Sequence, residues 1–167
     1  AVWNRNALGC TSHAVLPYSQ RLARLPAYLQ QLEMESLGKG ATRDGEEVTQ
    51  DTGAVIWGEA GSNAQHSFFQ FLHQGTADVS MDFLLPLQGA ADAAADELVI
   101  ANCLAQAQAF MAGHEAAEAA KRHPGNRPLT LIAFPRLDLA TLGALIALYE
   151  HKVFVESVLW NVNPFDQ

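Results

Sequence analysis

The sequence predicts an α/β protein in three layers, a doubly wound and mostly parallel sheet with helices on both faces. Two observations carry this. Short apolar or β-branched runs recur at residues 14–18, 55–57, 79–87 and 129–134. A segment of helical periodicity follows each of them, and such alternation implies parallel strands joined by helical crossovers. No internal repeat interrupts the pattern.

In chain order, Ala1-Val2-Trp3 opens inside an apparent helix, and residues 14–18 form a strand end closed by Pro17-Tyr18-Ser19. Leu22, Leu25, Leu29 and Leu32 recur at spacings of three and four, which predicts an amphipathic helix over 21–36. Pro26 falls within it and kinks it or marks a late start. Residues 38–51 are polar with Gly-containing turns, an exposed loop or hairpin. Val55-Ile56-Trp57 is a buried strand by its β-branched and aromatic content. Ser62, with Gln65 three residues on, predicts a capped helix over 62–74 that buries Ala64, Phe68, Phe71 and Leu72. A strand at 79–87 ends at Pro86, and an Ala-rich acidic linker over 88–96 leads into a helix at 97–112. Gly125-Asn126-Arg127-Pro128 is a turn, 129–134 a strand, and 139–154 a mostly apolar helix that needs cover on several sides.

Hydrophobic residues at 49% and charged residues at 17% of 167 describe one ordinary globular domain. A formal charge of -8 argues against nucleic acid or an anionic membrane as partner. The longest greasy segment, 139–149, is too short to span a bilayer, and no signal peptide is visible. Cys10 and Cys103 lack CxxC spacing and read as reduced, buried thiols of a cytoplasmic protein. Both ends look cut, as in a piece of a longer protein.

Glu59 is the first candidate for chemistry. It lies in a turn between a strand and a helix, where open α/β sheets bind ligands. The following helix start would favour its ionised form. It is a candidate general base, although a carboxylate also simply suits a helix N-terminus. His66 and His73, seven apart, could suit a metal, but no third ligand follows and a structural role is favoured. Neither a phosphate-binding glycine loop nor a serine-hydrolase elbow occurs around Ser12-His13 or Ser67. Tyr149-Glu150-His151-Lys152 reads as the exposed or interfacial end of its helix.

Trp57-Gly58-Glu59, Gly61, Asn63 and Gln65-His66 together resemble the W-G-E-x-G-x-N-x-Q-H pattern of the glucose-6-phosphate isomerase family. Further segments resemble it in family order: Leu16-Pro17-Tyr18-Ser19-Gln20, Gln30-Gln31-Leu32-Glu33-Met34-Glu35-Ser36, Ala101-Asn102-Cys103-Leu104-Ala105-Gln106, Gly125-Asn126-Arg127-Pro128, Leu142-Gly143-Ala144-Leu145-Ile146-Ala147-Leu148-Tyr149-Glu150-His151-Lys152 and Phe165-Asp166-Gln167. The resemblance implies a fragment of a two-domain enzyme. Residues 1–36 would be a helical segment entering the domain. Residues 37–167 would be its C-terminal sugar isomerase (SIS) domain, Rossmann-like and truncated at the C-terminal end.

It further implies reversible isomerisation of glucose 6-phosphate to fructose 6-phosphate, a step of glycolysis and gluconeogenesis, with no metal or organic cofactor. Glu59 falls on the catalytic base and Gln167 on a substrate-binding Gln. The partners implied are the sugar phosphate and a second subunit in a homodimer. Ungapped alignment puts Ala90 where the family carries a His implicated in ring opening, which leaves open a non-catalytic sugar-phosphate-binding module. Ala54 and Ala60 replace prolines, Ala64 a Gly, and Leu37 an Asn. The fragment alone is expected to be inactive, because the family's phosphate loop and closing Lys fall outside it.

Overall fold

A computed structural model describes residues 1–89 and 92–165. Its core is a four-stranded sheet in the order β2-β1-β3-β4, with every neighbouring pair parallel. The strands are β1 (Ser12–Pro17), β2 (Val55–Trp57), β3 (Val79–Gln88) and β4 (Leu129–Arg136). The helices are α1 (Leu25–Leu29), α2 (Gly61–Ala64), α3 (Phe69–Gln74), α4 (Ala93–Ala112) and α5 (Leu139–Leu159). β1, which lies within the first 36 residues, stands between β2 and β3. The boundary expected at 36/37 therefore falls between two hydrogen-bonded strands, and residues 1–36 supply an inner strand as well as helical turns.

Side-chain alternation along the strands divides the core into two layers. Ala14, Leu16, Met81, Phe83 and Leu85 point to one face, where Phe69, Leu72, Cys103 and Phe110 from α3 and α4 cover them. Val15, Ile56 and Leu84 point to the other, under Leu25 and Leu29 of α1 and Leu145 and Tyr149 of α5. This is the expected three-layer, doubly wound arrangement. Both cysteines are buried and free.

Several boundaries differ from the sequence reading. The helix expected over 21–36 is three pieces: a 3₁₀ turn at Gln20–Leu22, α1, and a π-helical turn at Gln30–Glu35. Pro26 sits in the first turn of α1, where its missing N–H removes no helical bond. The helix expected over 62–74 breaks after Ala64 and restarts at Phe69. Phe68 takes a non-helical conformation (φ −136°, ψ 7°) and packs edge-on against Trp57, with ring centroids 4.7 Å apart. The restart turns Phe69 and Leu72 inward and leaves Phe71 45% exposed, against the burial expected for it. Ser62 does not cap the helix; Ala60 occupies the N-cap and no side chain bonds there.

α4 begins at Ala93 rather than 97, because Asp92 accepts a hydrogen bond from the Ala95 N–H at 2.9 Å and caps it. α5 is capped in the same way by Asp138 on Thr141 N. Only one side of α5 is covered: Leu139, Leu148, Phe154, Val158 and Leu159 all remain exposed.

Candidate functional site

In a doubly wound sheet the crevice opens at the carboxyl ends of the strands, where consecutive crossovers leave in opposite directions. The order 2-1-3-4 places that switch point between β1 and β3. A cleft of about 430 Å³ lies there. Its walls include Tyr18, Ser19 and Gln20 after β1, Gln65 after β2, and Asp96 and Asn102 on α4. Tyr18 is fixed between the strands, its N–H donating to Leu84 O at 2.8 Å. Its hydroxyl is buried without a partner among the described residues. Burial raises the Tyr18 phenol well above its ordinary value, so it is a neutral donor at any physiological pH. Gln65 and Asn102 exchange amide hydrogen bonds across the mouth.

Glu59 sits half-buried on the β2–α2 turn, ahead of Ser62 on α2 and Gln65 at its C-cap, both of which line the cleft. It is not itself a lining residue. Its carboxylate makes no hydrogen bond or ion pair among the described residues. The turn is locked against β1. Gly58 has φ +151°, and a Cβ there would lie 1.9 Å from Val15 O. Gly61 lies against the ring of Tyr18, which a Cβ would meet at 2.8 Å. The helix behind Glu59 is a single four-residue turn, so the dipole support expected of a 62–74 helix is much reduced.

Gln167 and Ala90 lie outside the described residues. His66 is exposed, whereas His73 is stacked on Phe110 with centroids 3.8 Å apart and bonded to Gln106 at 3.0 Å. Burial lowers the His73 pKa, which keeps the ring neutral. No group of three or more metal-binding side chains occurs among the described residues.

A second polar cluster lies at the opposite, amino-terminal end of the sheet, beneath α5. His13 on β1 and Ser80 on β3 are paired in register, with His13 Nδ1 2.8 Å from Ser80 Oγ. His13 Nε2 lies 3.1 Å from Asp82 Oδ2, and the Tyr149 hydroxyl donates to the same oxygen at 3.0 Å. This Ser-His-Asp set is buried beneath α5, so it is not a hydrolytic site. Tyr149 and Lys152 therefore face inward, not outward as expected of the 149–152 cluster; only Glu150 and His151 are exposed. The helical period forces this, since Leu145, Tyr149, Lys152, Val153 and Glu156 share one side of α5. The signal available in the sequence was polar residues at every second position of apolar strands.

Lys152 pairs with the buried carboxylate of Glu33 at 2.5 Å. The neighbouring carboxylates hold its pKa above the ordinary lysine value, outweighing burial. Lys152→Met would leave the buried Glu33 carboxylate without its cation. Removing one partner of a buried pair costs about 3–5 kcal/mol. A urea midpoint lowered to that extent is expected; an unchanged midpoint would show that the pair is solvated.

The doubly wound sheet, with a cleft at its switch point, defines a class: α/β proteins whose crevice opens at the carboxyl edge of a parallel sheet. Comparison with known proteins makes this specific. The chain belongs to the phosphoglucose isomerase family, whose sequence profile matches residues 1–167. It is 50% identical over 187 aligned residues to the glucose-6-phosphate isomerase of Xanthobacter autotrophicus, covering 99% of this chain and 34% of that protein. Against the Stenotrophomonas maltophilia (strain K279a) enzyme identity is 53%, over 99% of this chain and 33% of the relative. The crystal structure of a glucose-6-phosphate isomerase from Chlamydia trachomatis superimposes with a TM-score of 0.95 at 40% identity, covering 99% of this chain and 34% of that one. The chain thus spans about a third of the length of the curated relatives it matches.

Proposed function

We propose that this chain is the part of a glucose-6-phosphate isomerase that carries its general base. The observation that carries the reading is Glu59, unpaired and held by Gly58 and Gly61 on the turn beside the switch-point cleft. A carboxylate in that place removes the proton from carbon 2 of the open-chain sugar and returns it to carbon 1 through a cis-enediol. Family membership supplies the substrate, glucose 6-phosphate or fructose 6-phosphate. Gln167 is proposed as a substrate contact and 37–167 as the body of a sugar isomerase domain. The working enzyme is proposed to be a cytoplasmic homodimer that acts without a cofactor in glycolysis and gluconeogenesis. No helix among the described residues is long and apolar enough to cross a membrane, which accords with that placement.

The chain on its own is proposed to give no useful turnover. Stabilising the enediolate is the larger catalytic task, and besides Arg21, whose guanidinium donates to the Leu137 carbonyl, the cleft walls offer it mainly carboxamides and hydroxyls. The test is a coupled assay of fructose 6-phosphate conversion by a protein of the relatives' length carrying this chain. Turnover supports the reading. Sugar-phosphate binding with no turnover overturns it in favour of a binding module, the reading that Ala90 in place of a His would favour.

A further inference from the structure

Glu156 is 4% exposed, and both its carboxylate oxygens are buried without a partner among the described residues. Burying an ionised carboxylate in this way is costly unless it is paired. The groups facing it do not pair it. Lys152, one turn back on α5, is engaged by Glu33 from the π-helical turn. Arg5 from the N-terminal turn is held by Asp51, at 3.2 Å, and by the Thr52 and Gly53 carbonyls. Arg43 reaches only the neighbouring Ser157 hydroxyl, at 3.3 Å, and Val162 O. Ala1, the buried Cys10 thiol and, on β1, His13 also face it, with Asp82 on β3 beyond His13.

A chamber of about 20 Å³ adjoins Glu156 and is also lined by His13, Glu33, Ser80 and Lys152. That volume accommodates one water, which needs two to four polar partners. His13 Nε2 lies at ion-pair distance from Asp82 but out of hydrogen-bond alignment, so it retains bonding capacity.

We propose that this chamber is a binding site for one proton and one water molecule: Glu156 is held as the neutral acid, and the water bridges its carboxyl group to His13 Nε2. Desolvation, opposed only in part by Lys152, pushes the Glu156 pKa from 4.5 up to about 7. The folded chain thus holds this proton more tightly than the unfolded chain. The resulting stability is full below about pH 4.5, is lost as pH rises to about 7, and changes no further above that. The site lies at the far end of the sheet from Glu59 and does not depend on the isomerase reading.

The test is a carbon-13 titration of the glutamate side-chain carboxyls of the chain, assigned by through-bond correlation and by comparison with Glu156→Gln. One carboxyl is expected to titrate near pH 7 and to be missing from the variant. A Glu156 resonance that titrates with the surface glutamates overturns the proposal. The same is read from thermal melts: the fall in Tm between pH 5 and pH 8 should be smaller in Glu156→Gln than in the parent. Parallel falls overturn it, whatever the variant's absolute stability. If the variant does not fold, the assigned titration of the parent decides alone. For the water, a high-resolution crystal structure should show one ordered molecule between Glu156 and His13; an unoccupied chamber removes that half of the proposal.

Discussion

Glu59→Gln, placed in a protein of the relatives' length, is expected to lower kcat by about 10²–10⁴, the usual contribution of a positioned general base. Glutamine keeps the size of the side chain and its capacity to accept a hydrogen bond from a sugar hydroxyl. It cannot take a proton. The loss should therefore fall equally on kcat and kcat/KM, as when an interaction made only in the transition state is removed. Folding should not change, because Glu59 makes no hydrogen bond or ion pair that the substitution could break among the described residues. A second readout isolates the chemistry: exchange of the substrate's carbon-2 proton with solvent should fall with kcat. If turnover drops while exchange continues at the parent rate, Glu59 acts in another step and the assignment of the base fails.

How far such a site could be read in advance differs from residue to residue. The turn that carries Glu59 was legible because its signal is local: a β-branched run, a glycine, a carboxylate and a helix start within eight positions. The cleft was not. Tyr18, Gln65 and Asn102 are brought together by two crossovers, and no spacing in the chain records that convergence. The four strands were legible from their apolar runs, yet β3 continues through Pro86, where a stop was expected. Leu84 O accepts from Tyr18 N, so even-numbered residues of β3 direct their backbone groups towards β1. β1 has no paired residue beyond Leu84. Proline at 86 thus removes no ladder hydrogen bond, and the strand runs on against β4.

The broken helix at 65–68 was missed for a related reason. Periodicity ranks apolar residues by spacing alone, whereas Phe68 is drawn out of the helix by the edge of Trp57. The buried ion pair was missed because Glu33 and Lys152 are 119 residues apart and each alone reads as a surface charge.

Gly58→Ala is expected to keep the chain from reaching this fold. Two effects combine at the position. With φ at +151° the backbone lies where side chains other than glycine's are strongly disfavoured, which costs about 1–3 kcal/mol by itself. The methyl group would also meet Val15 O at 1.9 Å, Val15 C at 2.8 Å and Val15 N at 2.9 Å. These are backbone atoms of an inner strand, and β1 is held in register by β2 on one side and β3 on the other. A flexible side chain could move aside; Val15 cannot. Relief requires lifting the turn from β1, and the His13–Ile56 and Ala14–Trp57 pairings go with it. That would expose Ile56, now fully buried, and carry Glu59 away from the cleft. The expected result is loss of the dispersed amide spectrum and of the cooperative urea transition. Gly143→Ala, on α5 where a Cβ meets nothing within 4 Å, should leave both intact. A Gly58→Ala protein that unfolds cooperatively at the parent's midpoint would mean that the turn is not seated on Val15, and the placement of Glu59 would fall with it.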